Sequence, residues 1–284
     1  MREEPMAAHT TFKIGGPADL MVFAGTQDSL FAVIRECRAA EVPWMILGNG
    51  SNLLVSDSGI RGVVIRLEGA FKSVSMDGET GICCGAGAPL SALCSFAREY
   101  ALSGLEFAWG IPGTAGGAAF MNAGAYGGEM KDVLRACKHL ERDGSTGMLS
   151  GDDLALSYRR SAYSANGAAI LFLYLDLRKG AEQEISAAME DYMSRRRQKQ
   201  PLEYPSAGSV FKRPEGYFAG ALIEACGLKG KRIGGAMVSE KHAGFIVNSG
   251  GATCGDVRSL IALIQETVLR ETGVSLECEI RMVG

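Results

Sequence analysis

The sequence is poor in several features that would place a protein quickly. It holds three histidines in 284 residues, and none sits beside cysteine at zinc spacing. Its eight cysteines, at 37, 83, 84, 94, 137, 226, 254 and 278, form no C-x-x-C pair. No metal site is expected, and cysteines set in apolar runs behave as small hydrophobes suited to a reduced cytoplasm. Neither sign of charge prevails: 29 basic residues against 32 acidic give a net charge of -3. No broad field therefore favours nucleic acid or an anionic membrane, and phosphate recognition must come from local groups. Long apolar runs are missing too. The longest, residues 168–175, is stopped by Asp176 and is too short to span a bilayer. Met1-Arg2-Glu3-Glu4-Pro5 lacks the apolar centre of a signal peptide. The uncharged stretch 107–128 is longer, but its glycines and Pro112 read as loop and turn, so no membrane insertion is expected.

What remains is an ordinary globular composition, 47% apolar and 21% charged, long enough for one large or two to three modest domains. Residues 18–24, 44–47, 53–56 and 62–67 read as short strands, with a helix from Thr26 to about residue 40. Strands at 71–76 and 81–84 precede a helix over 88–102, whose Leu90, Leu93, Cys94 and Ala97 recur at helical spacing. Further strands are expected at 133–142 and 168–178. A helix over 181–199 ends in Arg195-Arg196-Arg197-Gln198-Lys199 before Pro201. That basic run reads first as a solvated helix end, with attraction of an anionic substrate as the sharper alternative. Beyond a boundary near residue 200 lies an α+β unit: a helix over 217–226, strands at 235–238 and 245–248, and a helix opened by a Thr253/Asp256 capping box. A last strand is expected over 275–283.

Two glycine-rich segments carry the chemistry. Gly48-Asn49-Gly50-Ser51-Asn52-Leu53 follows a strand, and its backbone could turn sharply and present N–H groups to a diphosphate. It is neither a Rossmann fingerprint, since Leu53 stands at the third glycine, nor a Walker loop. Gly110-Ile111-Pro112-Gly113-Thr114-Ala115-Gly116-Gly117 runs on to Asn122-Ala123-Gly124-Ala125-Tyr126 and could open a short helix with free N–H groups facing an anion. Tight packing of small residues between layers is the alternative, and the residues alone leave both open.

At these segments the chain resembles the UDP-N-acetylenolpyruvoylglucosamine reductases, flavoproteins of the vanillyl-alcohol-oxidase (PCMH) type. The match runs through Thr10-Thr-Phe-Lys-Ile-Gly-Gly16, the Gly48 loop, Gly110-Ile-Pro-Gly113, Met121-Asn-Ala-Gly-Ala-Tyr-Gly127 and Ser157-Tyr-Arg159. It continues through Ala207-Gly-Ser-Val-Phe-Lys212, Val238-Ser-Glu-Lys-His242 and Leu276-Glu-Cys-Glu-Ile-Arg281. The resemblance implies an α+β fold: FAD-binding subdomains at 1–67 and 68–200, and a substrate-binding domain at 201–284. It also implies FAD, NADPH as hydride donor and a nucleotide-sugar substrate. His9, His139 and His242 all lie outside the Gly48 loop, so noncovalent FAD is expected, and the expected state is a monomer. FAD would be bound by Leu47, Gly48, Asn49, Gly50, Ser51, Asn52 and Leu53. Its second set would be Gly110, Ile111, Pro112, Gly113, Thr114, Gly116, Gly117, Asn122, Ala123 and Gly124.

The family's catalytic roles carry over one residue at a time. Ser209 matches the proton donor, Arg159 the group that binds the substrate carboxylate, and Glu279 the glutamate that polarises the intermediate. Arg160 and Glu277 are the confounders, Glu277 lying two residues away on the same strand face. Tyr126, Lys212, Arg213 and His242 are matched more loosely to the substrate or NADPH site. An oxidase of the same fold would keep the glycine loops but need neither Ser209 nor the Arg159/Glu279 pair.

Overall fold

A computed structural model describes residues 1–284. The chain divides into two compact units, each assembled from separate stretches. Unit 1 comprises residues 1–21, 50–63 and 197–284; unit 2 comprises residues 22–49 and 64–196. The switch at 196/197 lies close to the boundary expected near residue 200. The chain also changes unit at 21/22, 49/50 and 63/64, because pairings far apart in sequence decide membership.

In unit 1, Ser206–Ser209, Phe245–Asn248, Ala236–Val238 and Arg232–Ile233 form an antiparallel sheet in that order. Two helices accompany it, Ala219–Ala225 and Cys254–Thr272. The second begins as expected: Thr253 accepts the Asp256 N–H at 3.0 Å, and Asp256 Oδ2 accepts the Thr253 N–H at 3.0 Å. Its Val257, Leu260, Ile261, Ile264 and Val268 are buried with Phe12, Ile14, Leu54, Val210 and Ile246 in one core. Burying a side chain of that size contributes roughly 1.5–3 kcal/mol, so this stripe anchors the helix. Arg2–Pro5 pairs antiparallel with the start of Pro17–Ala24, and Leu53–Val55 runs parallel to Arg281–Val283. The expected strand over 275–283 is thus confined to its last residues. Residues 277–280 bond instead to Val210 and Lys212, outside any ladder.

Unit 2 is built on a five-stranded antiparallel sheet ordered Thr146–Ser150, Leu134–Leu140, Ala169–Asp176, Gly81–Gly85, Val74–Asp77. The helix Gln27–Ala39 starts where expected, with the Thr26 hydroxyl accepting the Ser29 N–H at 3.2 Å. The expected strand at 71–76 begins late. Gly69, at φ +53°, opens a 3-10 turn that drops Phe71 into the core beside Phe172, and Val74–Asp77 follows. Helix Leu90–Glu99 buries Leu90, Leu93, Cys94 and Ala97 as their spacing predicts. No helix of the chain is long and apolar enough to cross a membrane.

Candidate active site

In unit 1, Ser209 ends an edge strand at a bulge. Gly208 has φ +78°, and the register with Phe245–Asn248 shifts between Ser206 and Ser209. Bulges re-aim the side chain that follows them. The next carbonyl, Val210 O, accepts the Glu279 N–H at 2.7 Å, while Lys212 N–H donates to Glu277 O at 2.8 Å. These bonds join the backbone that follows Ser209 to the stretch that carries Glu279, and both residues are only partly buried. Asn52 of the first glycine-rich loop is tied to the Glu279 stretch: its Nδ2 donates to Glu279 O at 3.2 Å and its carbonyl accepts Arg281 N–H at 3.0 Å. This tie was not visible in sequence, where Asn52 read as a cofactor donor alone.

The two C-terminal glutamates separate in the structure. Glu277 is exposed and forms an ion pair with Lys212, the cation expected near the substrate. Arg213 lies with its guanidinium 4.0 Å from the centre of the Phe218 ring, and its Nε donates to Tyr217 O at 3.3 Å. His242 is held by Gly244, whose N–H donates to Nδ1 at 3.1 Å, so the neutral ring carries its proton on Nε2. Burial, first of all, pushes its pKa below the usual histidine value, and the Lys229 cation adds to the fall.

The first loop is braced from behind. Gly50, at φ +59°, sits so close to His9 that a Cβ would come 2.4 Å from its carbonyl oxygen. Gly50 O accepts the Thr11 N–H at 3.4 Å. Because a trans peptide points its C=O and N–H in opposite directions, this turns the Ser51 N–H away from the chain behind it. That orientation suits an anion. The Thr10–Gly16 motif is thus a buttress: Thr11 Oγ1 also donates to Ser206 O at 2.7 Å, and Phe12 is fully buried.

In unit 2, Arg159 sits at φ +57° in a two-residue turn closed by Ser157 and Arg160, whose backbones exchange bonds of 3.1 and 3.0 Å. Tyr158 and Arg159 form the turn tip, and the Arg159 guanidinium lies 5.1 Å from the Tyr158 ring centre. Asn122 supports this turn. Its Nδ2 donates to Glu129 Oε2 at 2.7 Å and Ser157 O at 3.1 Å, and its Oδ1 accepts Lys131 N–H at 2.9 Å. Asn122 is 0% exposed. Expected as a cofactor contact, it instead has its whole side chain committed to ordering two loops.

The second glycine-rich segment requires a correction as well. The short helix Ala115–Phe120 forms behind its Thr114 cap, but its first N–H groups are not free. Ala115 N–H donates to Ala88 O at 2.8 Å, Gly116 N–H to Ala86 O at 2.9 Å and Gly117 N–H to Thr114 Oγ1 at 3.3 Å. Gly116 is buried against Ala86, where a Cβ would lie 2.7 Å from the Ala86 Cβ. Close packing accounts for these positions. Ile111, Pro112, Gly113, Gly117, Ala123 and Gly124 keep some exposure, whereas Leu47, Gly50 and Thr114 are buried.

The two segments nevertheless meet. A Cβ on Gly48 would lie 2.7 Å from Thr114 Oγ1, so the start of the first loop and the helix cap of the second segment are neighbours within unit 2. That approach fits a ligand with a narrow polar middle, such as the FAD diphosphate. The chain's relatives point the same way. Residues 18–149 match the FAD binding domain, and residues 200–283 match the UDP-N-acetylenolpyruvoylglucosamine reductase C-terminal domain. The UDP-N-acetylenolpyruvoylglucosamine reductase of Caldanaerobacter subterraneus subsp. tengcongensis is 50% identical, covering 99% of this chain and 92% of its own length. The chain belongs to the UDP-N-acetylenolpyruvoylglucosamine reductase family.

Within that family, the reductase of Alkaliphilus oremlandii is 51% identical over 99% of this chain. The crystal structure from Thermus caldophilus shares 40% identity and superposes with a TM-score of 0.85, covering 99% of this chain and 97% of that one. The α+β, FAD-binding architecture expected of a UDP-N-acetylenolpyruvoylglucosamine reductase is the one found. No group of three or more His, Cys, Asp or Glu side chains is placed to hold a metal ion. The thiols of Cys84, Cys94 and Cys137 are pushed up to about 12, chiefly by burial, which leaves them unreactive at neutral pH.

Proposed function

We propose that the chain catalyses the NADPH-dependent, FAD-mediated reduction of UDP-N-acetylglucosamine enolpyruvate to UDP-N-acetylmuramate, a step of peptidoglycan synthesis. The observation that supports this reading is the backbone join in unit 1, in which Val210, the residue after Ser209, accepts the Glu279 N–H while Asn52 donates to Glu279 O. Bound FAD supplies the hydride-transfer chemistry. The segments 47–53 and 110–124 hold it, with Asn122 acting through loop order rather than contact.

The protein's own groups govern charge and protons. The Arg159 guanidinium, with its planar pair of donors, binds the substrate carboxylate and stabilises the charge that develops beside it. Ser209 delivers a proton to the carbon next to the one that accepts hydride. A serine hydroxyl is a weak acid, so it needs neighbours that stabilise its alkoxide or relay a proton. Glu279 polarises the intermediate together with Arg159. Tyr126, Lys212, Arg213 and His242 contact the nucleotide sugar or NADPH.

Noncovalent FAD is supported by the engagement of all three histidines elsewhere: His9 with Glu4, His139 with Tyr163 and Glu141, His242 with Gly244. All eight cysteines are free, which suits the cytoplasm. A monomer is the proposed state, checked by sedimentation.

The test is anaerobic NADPH oxidation by the FAD-loaded protein with and without the enolpyruvyl substrate. Turnover sustained only with substrate supports the proposal, and flavin reduction that stalls despite substrate refutes it. Ser209→Ala should leave NADPH-driven flavin bleaching intact and slow reoxidation by about 100-fold or more. Equal loss in both half-reactions would remove Ser209 from that role. Arg159→Ala should likewise act on reoxidation, and an unchanged single-turnover rate would exclude Arg159.

A further inference from the structure

Tyr126 is an unusual residue for its place. It follows Gly124-Ala125 at the tip of a two-residue hairpin, and both it and Gly127 take left-handed backbone, φ +53° and +87°. Paired positive φ values make the tight turn favoured between antiparallel strands, but a tyrosine in that conformation is uncommon. At 37% exposure its ring also remains open to solvent.

The ring is held from one side by a helix remote in sequence. Helix Glu182–Lys199 places Tyr192 flat against it, with centroids 4.5 Å apart and planes 3° from parallel. One turn further on, the Arg196 guanidinium lies 5.7 Å from the centre of the same ring. Residues four apart share a helix face, so one strip of this helix delivers both contacts. The strip also reaches the start of the same glycine-rich segment: a Cβ on Gly110 would stand 2.8 Å from Met193 Cε and 3.1 Å from Arg196 Nε.

Ordinary hydrophobic docking does not explain this end of the helix. Its buried side chains are Ile185, Met189 and Arg196, so a cation occupies the place where an apolar stripe would continue. Arg195 is exposed and bonded to Asp191, whereas Arg196 is 8% exposed. The basic run is therefore not a uniformly solvated helix end. Its second member, Arg196, is drawn in towards an aromatic face, where a desolvated cation gains most.

We propose that Tyr192 and Arg196 are positioning residues, which fix the Tyr126 ring in the orientation needed to contact the nucleotide-sugar substrate. The proposal rests on the reading that Tyr126 touches that substrate. The stack supplies what a hairpin tip cannot, a rigid backing for an exposed ring. It needs the flat faces of both tyrosines and not the Tyr192 hydroxyl.

The experiment compares Tyr126→Ala, Tyr192→Ala, Tyr192→Phe, Tyr192→Leu and the double variant Tyr126→Ala/Tyr192→Ala, all FAD-loaded. The readouts are KM and kcat for UDP-N-acetylglucosamine enolpyruvate, the rate of flavin reduction by NADPH, and Tm. Tyr192→Ala should raise the substrate KM by about threefold or more, the size of a lost aromatic stack, with kcat within about twofold. Tyr192→Phe should restore KM. The double variant should be no worse than Tyr126→Ala alone, because the second change then has nothing to position. Tyr192→Leu keeps bulk without a stacking face; it should raise KM with Tm retained, and it serves if the alanine variant fails to fold. An unchanged KM in both Tyr192→Ala and Tyr192→Leu, with a raised KM in Tyr126→Ala, overturns the positioning role while leaving the substrate contact standing. An unchanged KM in Tyr126→Ala refutes the contact itself, and the proposal falls with it.

Discussion

The segment Gly48–Leu53 and the segment Gly110–Gly128 share a composition, yet their peptide groups are engaged in opposite senses. In the first, the bonds that brace the loop use carbonyls, Gly50 O to Thr11 and Asn52 O to Arg281. In the second, the bonds that fix the helix start use N–H groups, those of Ala115, Gly116 and Gly117. Glycine in the first allows a turn that offers donors outward. Glycine in the second allows two backbones to approach, as Gly116 does to Ala86. Both uses require the missing side chain, and composition cannot tell them apart.

The largest test of this difference is Asn122. If the second segment is a packed scaffold, Asn122→Ala should cost about 3 kcal/mol, because buried partners at Lys131 and Ser157 are left short of hydrogen bonds. Denaturant unfolding should show the same loss with saturating FAD and without it. A loss confined to the FAD-bound protein would make Asn122 a ligand contact after all. Gly116→Ala should come next, at roughly 1–3 kcal/mol, since its new Cβ meets Ala86 with no flexible side chain to give way. Gly48→Ala should be milder, about 1 kcal/mol, because the Thr114 hydroxyl can rotate aside at the expense of its cap to Gly117. In a Thr114→Ala background the same change should cost little more, and strict additivity in that cycle would break the proposed contact.

The smallest expected effect concerns His242 in unit 1. With its pKa held below the ordinary 6.5 by burial, the folded state binds a proton less readily than the unfolded one. The stabilisation is complete above that ordinary value and declines as pH falls through it towards the lowered one. His242→Gln should therefore flatten the fall of Tm between pH 7.5 and pH 5, and an unaltered slope would show that His242 does not contribute.

Local signals in the sequence were reliable where the physics is local. Thr26 and Thr253 cap their helices, Trp44–Leu47 and Phe245–Asn248 are strands with the expected ends, and Leu90, Leu93, Cys94 and Ala97 face inward. What sequence could not supply were pairings between distant segments. Leu53–Val55 beside Arg281–Val283 is one, and Asp57, whose carboxylate accepts the N–H groups of Cys254 and Gly255 at 2.8 and 3.0 Å, is another. The site divided along the same line. Motif resemblance pointed to Ser209, Arg159 and Glu279, but the support from Asn52, Asn122, Tyr192 and Arg196 depends on contacts that no spacing rule encodes. The burial of Arg196 was the least legible, since nothing distinguishes it from Arg195 and Arg197 before the fold is known.

The interleaving of the two units has a consequence for how the molecule comes into being. Every residue of unit 2 has been synthesised before residue 197, whereas unit 1 also needs all of residues 197–284. On a translating ribosome the Arg159 turn and the Thr114 cap can therefore mature early. The stretches 1–21 and 50–63 can pair with each other early but gain their contacts with residues 197–284 only later. The join of Val210 to Glu279 closes last, well after the turn that carries Arg159.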